Sequence, residues 1–328
     1  MELNQSAELV DALVVGGGPA GLSAAIYLAR WCRSVAVVNC DRPGRSDWPQ
    51  VNHNYLGFPE GITARELVER GRAQAEGYGA RFHDAEVAYV SRPDEDGVFK
   101  AEAPGLTLRA RAILLATGVR DRWVEFPGYE EFIGRTIHWC IVCDGYEMQG
   151  QRVVIAGNDE HTAEMAVQML RFTQDVTVVT NAGSLGMPPA LVKRLDQHRI
   201  RLAVGRIVGA RAREEGALAA LTIESGGETT EVAADHLFSV QGSEPNNALA
   251  RSLGVRLSAD GFVEAGTEGM TSVPGVFAAG DLTRLFSHQI VTAAHEGAAA
   301  ANALNYYLFE KDEEAFRTAR GQASTDAD

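Results

Sequence analysis

Positive charge is in short supply in this sequence: 30 Lys and Arg stand against 44 Asp and Glu, a net charge of −14 over 328 residues. That balance argues against a nucleic-acid or anionic-membrane partner, both of which are held by basic surfaces. No apolar run approaches the roughly 20 residues of a membrane-spanning helix. Met1 to Asp11 has neither the basic nor the apolar segment of a secretory signal, so a cytoplasmic location is expected. Cysteine is sparse as well. Four thiols are too few to staple a chain of this length. What is present is ordinary for a globular protein with room for two domains: 45% hydrophobic residues and 23% charged ones.

The apolar pattern repeats one plan twice. Ala12 to Val15 reads as a strand, Gly16-Gly17-Gly18-Pro19-Ala20-Gly21 as a turn, and Leu22, Ile26 and Ala29 recur at helical spacing. Val35 to Val38 is a second strand, which completes a βαβ start. Thr63-Ala64-Arg65-Glu66 has the form of a capping box opening a helix towards Tyr78. A short meander then leads to the Ile113–Ala116 strand and Thr117-Gly118. The plan restarts at Val153–Ala156 with Gly157, a helix over Ala163–Phe172 and a strand over Val176–Val179, and it ends at Leu237–Val240. The expected fold class is therefore α/β, with two Rossmann-like (three-layer ββα) domains of nucleotide-binding type, the second inserted in the first. Residues 1–119 and 243–310 would form one, 120–242 the other, and 311–328 a charged, partly disordered tail.

Gly16-x-Gly18-x-x-Gly21 stands between a strand and a helix, the context a dinucleotide motif requires. The first glycine permits the tight turn, the second lets backbone approach a pyrophosphate, and the third lets the helix pack on the strand. The acidic residue expected after the second strand, on a ribose hydroxyl, is replaced by Asn39, with Asp41 nearby. Gly280-Asp281 follows another buried strand and offers a carboxylate to a sugar or ribitol hydroxyl.

Cys140-Ile141-Val142-Cys143-Asp144-Gly145 carries the chemistry. Two thiols three positions apart can close and reopen a small disulfide with two electrons, and the thiolate is the attacking species. Asp144 is adjacent and suited to relay the proton. Two other readings remain beside this one, a zinc site and a structural disulfide. Zinc would need a second ligand pair. His138 is only one helper, and Cys32 and Cys40 lie on other elements. Cys32 is expected in the core on the first helix.

Taken in order, Gly-Gly-Gly-Pro-Ala-Gly, Ala116-Thr117-Gly118, Cys140-x-x-Cys143-Asp144-Gly145, Thr271 to Asp281 and Gln289-Ile290-Val291-Thr292-Ala293-Ala294 resemble the low-molecular-weight thioredoxin reductase family. The resemblance spans nearly the whole chain. It implies a homodimer, FAD in the first domain and the redox disulfide in the inserted one. It implies that Cys143 lies nearer the flavin, that Cys140 attacks the protein substrate, and that Asp144 gives or takes the proton. FAD would be held by Gly16, Gly18, Pro19, Ala20, Gly21, Asn39, Asn54, Thr117, Gly118, Gly280, Asp281, Gln289 and Ile290. His288 stands where the family usually has arginine. The loop from Ser46 to Pro59 would run past the FAD in the first domain.

The second glycine turn, where NADPH would dock, reads Gly157-Asn158-Asp159-Glu160-His161-Thr162. Only its first glycine is kept. A carboxylate about 4 Å from a phosphate charge costs roughly 4 kcal/mol at an effective dielectric of about 20, or about three decades of affinity. The family's NADPH-dependent members carry a His-Arg-Arg-like run after the next strand. Here Val179-Thr180-Asn181-Ala182-Gly183 follows, with no arginine between Arg171 and Arg194. NAD(P)H use is thus doubtful. The expectation is a reductase of thioredoxin or a similar dithiol protein, fed by ferredoxin or another non-pyridine donor. The competing readings are an oxygen-dependent dithiol oxidase, an NAD(P)H-dependent enzyme with an atypical site, and a non-catalytic flavoprotein sensor. His53 is read as a structural histidine, Trp139 as a partner-facing anchor or a buried ring, and Phe316 as a solvated residue of the tail.

Overall fold

A computed structural model describes residues 8–40, 44–284 and 287–325, so Asp41 and the ends of the chain lie outside the described residues. The chain divides into two compact units. One comprises 1–46, 65–120 and 244–328, and the other 47–64 and 121–243.

The first unit is built on strands apolar on both faces. Along Glu8–Val15, Ala12 and Val14 enter one core while Leu13 and Val15 enter the other. Such a strand needs cover on both sides, the signature of a parallel sheet with layers above and below. The parallel strands run in the order Arg81–Asp84, Val35–Asn39, Glu8–Val15, Leu106–Leu115, Val276–Ala278. Phe99–Ala103 and Tyr89–Val90 extend the sheet as an antiparallel meander. The Pro19–Arg30 helix packs against the long Ile290–Thr325 helix so closely that a Cβ at Gly297 would lie 2.0 Å from the Ala20 carbonyl oxygen.

The second unit repeats the plan. Its parallel sheet runs Ile137–His138, His236–Ser239, Val153–Ala156, Val176–Val179, Arg201–Ala203. An antiparallel meander of Arg206–Glu214, Ala217–Ser225 and Glu228–Ala233 accompanies it. The α/β class and the doubled plan are as expected.

Three features depart from expectation. Asp47–Ala64, which includes the Val51–Asn52/Ile62–Thr63 ribbon, groups with the unit that carries the cysteines rather than with residues 1–46. The tail is helical: the last helix continues to Thr325, and Asp312 near the start of that stretch is clasped by Arg33 at 2.7 Å and Arg111 at 2.5 Å. Cys32 is exposed instead of buried. The first helix stops at Arg30, and Cys32 takes the left-handed conformation that turns the chain back towards the sheet.

Candidate functional site

The two cysteines open a one-turn helix, Ile141–Asp144. Cys140 is its extended N-cap, and its Sγ accepts the Cys143 N–H at 3.1 Å. The sulfurs are joined in a disulfide with Cα atoms 5.3 Å apart, within the span such a bridge requires. The turn packs tightly against the segment that follows the Glu160–Met169 helix, since a Cβ at Gly145 would lie 2.7 Å from the Phe172 ring. Trp139 is half-buried and meets Trp123 edge to face at 5.3 Å, and Trp123 meets Trp48 in the same way at 6.0 Å. Trp139 is therefore part of an aromatic row beside the disulfide. Val142 and Tyr146, on either side of Cys143, are 72% and 73% exposed.

Asp144 points inward. Its carboxylate is buried, and Gln50 Nε2 donates to Oδ1 at 2.8 Å. His138 Nδ1 lies 3.4 Å from the same oxygen, without the angle of a hydrogen bond, and among the described residues neither His138 Nδ1 nor Asp144 Oδ2 has a hydrogen-bond partner. His138 is buried in turn, and its Nε2 is 3.0 Å from His236 Nδ1. His236 is partly exposed. Burial, and then the neighbouring His138, push its imidazole down to about 4. Gln50 and His236 were not singled out from the sequence, and His138 was weighed only as a metal helper. The three stand 94 and 98 residues apart from their partners, and only the parallel pairing of Ile137–His138 with Leu237–Phe238 brings the histidines together.

The first glycine turn has the shape of a phosphate cradle. Gly16 adopts φ +111°, and a Cβ there would meet the Ala116 carbonyl oxygen at 2.2 Å. Around Gly18 nothing lies within 4 Å of where a Cβ would stand. The Pro19–Arg30 helix begins at Gly18 with no side-chain cap and no acidic residue in its first turn. Its N-terminal dipole is thus open to an anion. Asn39 supports the loop, since its Oδ1 accepts the Gly17 N–H at 2.8 Å. These residues fit the pyrophosphate of FAD. In the same unit Asp281 pairs with Arg45 at 2.7 Å, and Glu296 Oε2 accepts the Gly280 N–H. Thr117 Oγ1 donates to the Asn246 carbonyl, and Asn246 Nδ2 returns a bond to the Thr117 carbonyl. His288 Nε2 lies 2.7 Å from the Arg284 carbonyl oxygen, and Ile290 begins the last helix directly after Gln289. Asn54 stands in the other unit, where its Nδ2 donates to the Val142 carbonyl at 3.5 Å. His53 is exposed beside Gly61, and Phe316 is exposed under Arg320.

The second glycine turn is built differently. Asp159 is the N-cap of the Glu160–Met169 helix, and its Oδ1 accepts both the Thr162 N–H at 2.9 Å and the Thr162 hydroxyl at 2.6 Å. Glu160 adds a second carboxylate to the first turn. Asn158 bonds the Ser184 carbonyl and the Gly186 N–H, which ties the following loop to this turn. In the place of the arginine run, Thr180 and Asn181 spend their side chains on backbone groups at Ala182, Gly205 and Ile207.

Comparison with known proteins agrees with this geometry. Residues 10–300 match the family described as pyridine nucleotide-disulphide oxidoreductase, which implies FAD. The thioredoxin reductase of Bacillus subtilis is 30% identical over 93% of this chain and 97% of its own. The crystal structure of HlmI superposes with a TM-score of 0.87 at 29% identity, covering 98% of both chains. That of thioredoxin reductase from Streptococcus pyogenes superposes with a TM-score of 0.86 at 25% identity, covering 93% of this chain and all of the other. The chain belongs to the pyridine nucleotide-disulphide oxidoreductases, among the low-molecular-weight thioredoxin reductases, and is a flavin-dependent disulfide oxidoreductase.

Proposed function

We propose that this protein, as a homodimer, reduces the disulfide of thioredoxin or a similar dithiol protein through Cys140 and Cys143, with electrons from ferredoxin or another donor that is not a pyridine nucleotide. FAD, when bound at the Gly16–Gly21 turn, would take up the donor's electrons and supply two of them to the disulfide. The freed Cys140 thiolate then attacks the partner disulfide and forms a mixed disulfide, which Cys143 resolves. Asp144 holds the proton in transit. The exposed Val142 and Tyr146 give a protein partner an apolar contact beside the sulfurs.

One observation carries the choice of donor: Asp159 closes the helix N-terminus at the second glycine turn. One backbone donor of that N-terminus, the Thr162 N–H, is already taken by a carboxylate that would repel a nucleotide pyrophosphate. Anaerobic NADPH or NADH should leave the flavin absorbance unchanged on the time scale of turnover, whereas reduced ferredoxin should yield free thiols on oxidised thioredoxin. Rapid bleaching by either nucleotide would overturn the choice of donor. Oxygen consumption driven by a small dithiol, without thiol formation on thioredoxin, would identify an oxidase instead.

A further inference from the structure

Asp144 has a difficulty that its neighbours resolve. If it serves the sulfurs as an acid, it must be reloaded, yet it is buried and its second oxygen touches no donor. We propose that His138 and His236 form a proton relay that connects the Asp144 carboxyl to the surface of the unit carrying Cys140 and Cys143. The inference rests on the reading of that pair as the redox disulfide.

The chemistry requires a supply of protons. In the reduced pair with Cys140 as thiolate, one proton remains, on Cys143. Attack by Cys140 forms its bond to a partner sulfur and breaks the partner disulfide, and the departing thiolate takes a proton. Cys143 then attacks the Cys140 sulfur, closes the internal disulfide and releases the second partner sulfur. Two partner thiols are formed and the pair held only one proton, so one proton per exchange must come from water.

The row of side chains provides the path. A proton accepted at His236 Nε2 releases the one on Nδ1 to His138 Nε2, 3.0 Å away. For the last step the His138 ring must turn so that the 3.4 Å contact between its Nδ1 and Asp144 Oδ1 becomes a hydrogen bond, through which Nδ1 gives up its proton. The rings are also in contact, with centroids 5.2 Å apart, and Phe238 packs against the His138 ring and keeps water from it. Gln50, directly before the Val51–Asn52 strand, fixes the carboxylate through its bond to Oδ1. The outer end is electrostatically defined. Asp235, beside His236, is held by Arg152 at 2.7 Å and Arg213 at 2.5 Å. Burial and the second imidazole outweigh the pull of Asp235 and Asp144, so His236 stays neutral at neutral pH and passes protons on instead of storing them. A purely structural polar cluster would satisfy its buried atoms. Here His138 Nδ1 and Asp144 Oδ2 find no partner among the described residues and belong to adjacent members of the row.

The test compares two leaving groups. The FAD-loaded protein, reduced at Cys140–Cys143 with a phosphine and desalted, is mixed anaerobically with oxidised glutathione or with a dinitro-aromatic disulfide. An aliphatic leaving thiolate, with a conjugate pKa of about 8.5, needs a proton, whereas the aromatic one is stable without it. His236→Asn and His138→Gln should slow the glutathione reaction about tenfold relative to the aromatic one. Added imidazole should restore part of that loss in His236→Ala. Equal slowing with both disulfides would show a packing role and overturn the relay, as would no slowing in either variant. A parent protein that reacts with neither disulfide would overturn the redox reading of the cysteines, and the relay with it.

Discussion

His236 shows how much a single side chain can owe to its surroundings. In the unfolded chain it titrates near 6.5 and in the folded protein near 4. Between those values the unfolded state binds more protons, so stability falls as the pH drops through that window and levels off below it. A shift of this size is worth about 2–3 kcal/mol once screening at a partly exposed group is allowed for. Denaturant unfolding between pH 7 and pH 4 should show that slope in the parent protein, and His236→Asn should flatten it. None of this was visible in the order of residues. Cys140, Cys143 and Asp144 stand out in the sequence because they are close together and chemically distinctive. Gln50, His138 and His236 are common residue types, dispersed over the chain until strand pairing assembles them.

At the scale of elements, two helices of the same plan have opposite N-termini. The Pro19–Arg30 helix opens on Gly18 with no cap and room for a phosphate, while the Glu160–Met169 helix opens on a carboxylate that has turned inward to bond its own first turn. The sequence predicts a carboxylate, Asp159, at the position a phosphate would occupy in the second glycine turn. The structure adds that this aspartate is a working cap. Asp159→Ala is therefore expected to lower unfolding stability by about 1 kcal/mol, read as a lower denaturant midpoint with unchanged slope. The same substitution should not create NADPH-driven reduction, because Thr180 and Asn181 still occupy the place of the arginine run. The Cys32 departure arises at an element boundary as well. Helical spacing of apolar residues gave no sign of the left-handed turn that ends the helix at Arg30 and puts the thiol in solvent.

At the scale of the molecule, the last helix is held to the body of the first unit at Asp312. Arg33 follows the first helix and Arg111 lies on a central strand, and both reach Asp312, with Asp11 bracing the two. Burial by itself would raise the Asp312 carboxyl, but the two arginines hold it below the usual carboxylate range. Asp312→Asn should cost about 1 kcal/mol and speed proteolysis after residue 312, measured by timed digestion. The charged tail reads as partly disordered in the sequence because the partners of Asp312 lie 201 and 279 residues away.

Local signals were enough for the class of fold, the doubled plan, the open first glycine turn and the pairing of Cys140 with Cys143, because each is carried by short stretches of neighbouring residues. Tertiary structure alone decided what surrounds Asp144, where the Asp47–Ala64 segment packs, and how the last helix is held. Those features depend on strand pairing and on ion pairs between distant residues, and a distance along the chain says nothing about either until the sheets have formed.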